Sequence, residues 1–151
     1  MRSMLLLCCA LSFTACAKGG EQAGGEQAAV TAATLNLADV AGKWSIQAMA
    51  EGSDSVLVTY ELNATATAEG WTLVLPGRDP VSLHVVPGGD SVMIHAGPYE
   101  SVLRPGVTVS TESASRLVNG QLEGWSVAHY RGEGVGADSV LRIRLRGTRA
   151  P

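Results

Sequence analysis

Cysteine occurs only at residues 8, 9 and 16, so nothing later in the chain can close a disulfide or supply a thiol nucleophile. Long apolar runs are missing too. The run from Met4 to Phe13 would rise about 15 Å as a helix, roughly half of the ~30 Å hydrocarbon core, and no later stretch nears about 18 apolar residues. Lys and Arg number 11 against 14 Asp and Glu and form no basic stripe, which excludes nucleic acid as a partner. No Gly-x-Ser-x-Gly elbow, paired carboxylates, nucleophile–base pair or metal-ligand constellation is present. The expectation is therefore a non-enzymatic protein with no cofactor and no metal site. No helical pattern separates the strand-like segments, so there is no crossover from which to build a parallel sheet.

What the chain does have begins with a leader. Arg2 forms a positive n-region, Met4 to Phe13 an apolar h-region, and Thr14-Ala15 a small-residue cleavage position, the order of a secretory signal. Phe13-Thr14-Ala15-Cys16 resembles the lipobox of bacterial lipoproteins, in which the cysteine is acylated and the leader is cut just before it. Leu7 before Cys8, and Cys8 before Cys9, leave Cys16 as the acylation candidate. The alternative is an ordinary signal peptide cut near Ala15 or Ala17.

The resemblance implies attachment to a membrane through acyl chains, palmitate among them. Ala rather than Asp at residue 17 implies the outer membrane, with the protein facing the periplasm. With Arg2 removed, ten Lys and Arg face fourteen Asp and Glu, a formal charge of −4, so the acyl chains must carry the membrane attachment.

Three segments follow: a signal peptide over 1–15, a tether over 16–35 and a folded domain over 36–151. The tether repeats Gly-Gly and Glu-Gln and has too little apolar surface to offset the entropy of ordering it. About 18 residues of such coil hold the domain roughly 20–25 Å from its anchor.

From Leu35 onward, short alternating segments are separated by turn residues. Trp44, Ile46 and Ala48 mark one face of a first strand, and Val56, Val58, Tyr60, Leu62, Ala64 and Ala66 one face of a second. Strands then follow at Trp71–Leu75, Val81–Val85, Val92–Ala96, Tyr99–Arg104, Val107–Val118, Gln121–Arg131 and Asp138–Arg146. Asn119-Gly120 is a type I′ hairpin signal, because both central positions of that turn take positive φ. Asp-Ser-Val recurs at 54–56, 90–92 and 138–140, where a polar cap precedes an apolar strand. Eight or nine sequential antiparallel strands indicate an all-β, up-and-down barrel or a sandwich. The barrel is preferred, since closure removes both sheet edges from a domain without disulfides.

Leu37-Ala38-Asp39-Val40-Ala41-Gly42-Lys43-Trp44 resembles the Gly-x-Trp opening of lipocalins and other calycins, at the start of the first strand. The resemblance implies an eight-stranded barrel closed at one end by Trp44, with an arginine of the last strand packed on it. Arg146 and Arg149 are the candidates.

Gly89-Asp90-Ser91-Val92 resembles the Gly-Asp-Ser-Leu block of a hydrolase family, but it falls in a predicted hairpin with no Asp-x-x-His downstream, so it reads as a capped turn. A four-residue loop at 87–90 predicts His84 facing Met93 and His95 facing Ser82 on the outer wall, with Val85 facing Val92 inside. That patch is read as exposed strand histidines rather than a copper site. Trp44, Tyr60, Trp71 and Trp125 are the candidate interior contacts for a small apolar ligand. The function expected is thus that of a lipid-anchored envelope protein whose barrel binds a small apolar ligand or a protein partner. A structural or assembly accessory of the outer membrane, acting through the barrel's outer surface, is the alternative.

Overall fold

The computed structural model describes residues 34–136 and 139–151. The leader, Cys16 and the tether up to residue 33 lie outside the described residues. A single turn of helix, α1 (Leu37–Val40), leads into eight strands: β1 (Gly42–Ala50), β2 (Val56–Ala64), β3 (Thr72–Val74), β4 (Val81–Gly88), β5 (Ser91–Glu100), β6 (Thr108–Val118), β7 (Gln121–Arg131) and β8 (Val140–Arg149). Each pairs antiparallel with the next, and β1 pairs with β8, which closes the barrel in sequence order.

The class expected from the sequence is therefore the one observed. The separate strand expected at 99–104 is not formed. β5 runs on to Glu100, and a shift of register after Ala96 returns Tyr99 to the inward face. One extra residue on β5, three steps from Ala96 to Tyr99 against two from Thr111 to Val109, produces such re-phasing. The Asn119-Gly120 turn forms as read, with φ of 51° and 79° and Val118 paired to Gln121.

Alternation dictates the core. Trp44, Ile46 and Ala48 from β1, Val92, Ile94 and Ala96 from β5, and Leu122, Ala128 and Tyr130 from β7 point inward and are buried.

The end of the barrel where the chain enters is sealed. Val40 and Trp44 are fully buried, and the Trp44 indole Nε1 donates to the Val40 carbonyl at 2.8 Å. The Arg149 guanidinium lies 4.4 Å from the centre of the Trp44 ring and donates to the carbonyls of Ala41 (2.8 Å) and Asp39 (2.7 Å). Of the two arginine candidates it is thus Arg149 that reaches Trp44. Gly42 has φ +129°, and a Cβ there would come within 2.8 Å of Arg149 Nη1, so only glycine leaves the guanidinium its place. Trp71, also buried, donates from Nε1 to the Thr67 carbonyl at 2.7 Å.

One stretch of wall is built differently. β3 pairs with β2 only at Glu61, Leu62 and Asn63, and with β4 only at Val81 and Ser82. Its shortness follows from the residues after it. Pro76 has no N–H to continue a ladder, and Gly77, at φ +69°, completes a turn in which Arg78 N–H donates to the Leu75 carbonyl at 3.2 Å. Among the described residues, β2 residues 56–60 therefore pair with β1 alone.

Candidate functional site

The interior was the first place to expect a ligand. Small cavities of about 30 and 60 Å³ lie among its inward side chains. The first has room for a water molecule or two and the second for a few. Sites for small organic ligands run to several hundred Å³. Both cavities are lined mainly by aliphatic side chains, Leu73 and Leu145 among them, with Tyr60, Thr111 and Ser113 adding a few hydroxyl groups.

Hydroxyl groups satisfy one another there. Ser113 and Ser126 share a hydrogen bond of 2.9 Å, and Tyr99 bonds to Thr111. Burial, with Tyr99 nearby as a lesser cause, holds the Tyr60 phenol protonated well above its ordinary range. Burial also pushes Tyr99 up, against the pull of its Thr111 bond. Tyr130 is raised by burial as well, partly countered by Arg104, whose guanidinium lies 4.2 Å from the ring centre, and by a bond to Ser101. These groups are neutral donors and acceptors at any ordinary pH.

The four aromatic candidates separate. Tyr60 borders both interior cavities. Trp44 and Trp71 are packed solid and border neither. Trp125 is on the outer wall and 53% exposed, contrary to its expected inward position. The reason is phase. The Asn119-Gly120 turn starts β7 at Gln121, so Leu122, Ser126, Ala128 and Tyr130 face in and Trp125, an odd number of residues from each, faces out. Counting from the turn would have found this in the sequence. Tyr99, Tyr130, Thr111 and Ser113 were missed because β6 reads as a polar strand and Tyr99 depends on the register shift.

The histidine patch also differs from its expected register. Gly88 pairs with Ser91, so the β4–β5 loop has two residues and not four. His84 consequently faces His95, with ring centres 6.1 Å apart, and Met93 faces Val86. Val85 faces Ile94 rather than Val92. Among the described residues no three His, Cys, Asp or Glu side chains group closely enough to hold a metal ion.

A much larger concavity lies on the outside. An open groove of about 1130 Å³ starts where β3 stops, bordered by Thr59, Tyr60 and Glu61 of β2 and by the turn carrying Pro76, Arg78 and Asp79. Arg78 is clipped across it to Glu100, donating at 3.1 Å both to the carboxylate and to the backbone carbonyl. On the β2 bank, Lys43 pairs with Glu61 at 3.3 Å.

Fold and site together define a small closed antiparallel β-barrel with a nearly filled interior and an incompletely paired wall. Compared with known proteins, the chain matches no family model, no curated protein and no solved structure.

Proposed function

We propose that this chain is a lipid-anchored protein of the bacterial cell envelope, attached through Cys16 and facing the periplasm from the outer membrane. Its barrel acts by binding a protein partner on its outer wall, in the manner of a structural or assembly accessory, and performs no chemistry of its own. The observation that carries the choice of wall over interior is the contrast in free space. The interior cavities measure about 30 and 60 Å³, whereas the groove outside measures about 1130 Å³. An apolar ligand of ordinary size would have to displace packed side chains to enter, at a cost of a few kcal/mol. The anchoring half of the reading rests on the leader and on Phe13-Thr14-Ala15-Cys16.

Native mass spectrometry of the protein extracted from its own membrane tests both halves. The expected spectrum carries acyl chains at the N-terminus, no small ligand and a protein partner. A stoichiometric small molecule released on unfolding would overturn the wall-binding half. A Cys16→Ala chain that stays in the membrane fraction would overturn the anchoring half.

A further inference from the structure

We propose that the free edge of β2, residues 56–60, receives an extended segment of another protein, which lies in the place β3 vacates and completes the barrel wall. The proposal rests on the partner-binding reading above and names the surface and the kind of partner.

Three observations lead to it. First, residues 56–60 lie against β1 on one side and, among the described residues, pair with nothing on the other, so their outward-directed N–H and C=O groups offer a sheet edge. What satisfies such an edge is another extended backbone.

Second, the edge carries neither of the side-chain devices, charge and proline, that keep natural edges from pairing. Val56, Leu57, Val58, Thr59 and Tyr60 include no charge and no proline, and the first charged residue, Glu61, stands where β3 begins. Val56 and Leu57 are 46% and 36% exposed, so apolar side chains flank the free backbone. The one register shift on the β1–β2 ladder, between Ala48↔Val58 and Met49↔Val56, leaves Leu57 as the extra residue on β2, so the edge is bulged there and regular from Val58 to Tyr60.

Third, there is room and a charge bias. The groove of about 1130 Å³ opens at the lower end of the edge, between Thr59 to Glu61 and the Pro76–Asp79 turn. Arg78 and Lys43 are each spent on a carboxylate, Glu100 and Glu61. Asp79 is exposed and has no ion pair among the described residues. A segment that is neutral along the strand and carries Lys or Arg near Asp79 complements this rim. Five residues of extended chain span about 17 Å.

The test uses the isotope-labelled chain from Cys16 onward, without acyl groups, and a defined probe: the capped peptide Lys-Thr-Val-Thr-Val-Thr-Lys. Amide NMR shifts confined to residues 56–61 and 74–79 are expected. N-methylation of alternate peptide residues along one edge should abolish them, and Asp79→Asn should weaken binding about two- to fivefold. Shifts elsewhere on the wall, equal binding by the N-methylated peptide, or no shift at about 1 mM peptide would overturn the proposal. A dimer in light scattering that Leu57→Asp dissolves would also overturn it, since the edge would then be taken by a second copy. If the native partner complex survives Leu57→Asp, the partner-binding reading stands and this one fails. If no partner complex is found, the earlier reading fails, and peptide binding still reports on the edge.

Discussion

The entry end of the barrel and the β2–β3 side of its wall use similar residues to opposite effect. At the entry end, Val40 and Trp44 are fully buried and the last strand returns Arg149 over the indole, so two carbonyls beside it are satisfied. On the β2 side, Val56 and Leu57 stay half exposed because the strand that should cover them ends at Val74. Both places hold apolar side chains beside polar backbone. The difference is that, among the described residues, the entry end finds partners for these groups and the β2 edge does not. In a barrel, whose closure exists to remove edges, a stretch that pairs on one side alone among the described residues is where we propose a partner binds.

Substitutions should break that contrast to different degrees. Trp44→Ala removes a fully buried indole with its hydrogen bond and its guanidinium partner, and should cost about 3–5 kcal/mol in urea unfolding. A cost below about 1 kcal/mol would mean the entry end is not the sealed one.

The next effect is set by pH. The folded-state pKa of Tyr60 is raised by burial, so the folded form holds a proton that the unfolded chain gives up near pH 10. Stability from this group is present in full below about pH 10 and is lost above it, by about 1.4 kcal/mol per pH unit. Urea midpoints taken between pH 8 and 11 should therefore fall at the alkaline end, and Tyr60→Phe should flatten the fall.

Gly42→Ala comes third, at about 1–2 kcal/mol, because alanine must hold φ near +129° and crowd Arg149. Restoration of stability on adding Arg149→Ala would trace the cost to the crowding, and no restoration would trace it to the backbone.

Leu57→Thr, on the free edge, should change stability by no more than about 0.5 kcal/mol. A cost like that of Trp44→Ala would show that the two regions are packed alike.

Much of this was readable from the chain. Period-two alternation from Trp44 onward gives the strands, and Asn119-Gly120 fixes a hairpin whose dihedrals are those observed. Trp125 was misplaced although the same turn sets its phase, because an isolated tryptophan in a strand invites an inward assignment. The β4–β5 register could not be read. Pro87 and Gly88 look like loop residues, yet both pair in the ladder, Pro87 with Val92 and Gly88 with Ser91. The site was the least visible part. Pro76-Gly77 marks the end of β3 and the long alternation of β2 is plain, but the free edge emerges only from comparing two strand lengths across a pairing. The filled interior depends on how Tyr60, Tyr99 and Thr111 meet, which no local pattern specifies.

Hydrogen exchange of individual amides measures the central contrast most directly. Amides of residues 56–60 that do not bond to β1 should exchange at least about a hundredfold faster than those within the β6–β7 ladder under native conditions. Equal protection across the two would contradict the account, because it would mean that the β2 edge is already paired within the chain.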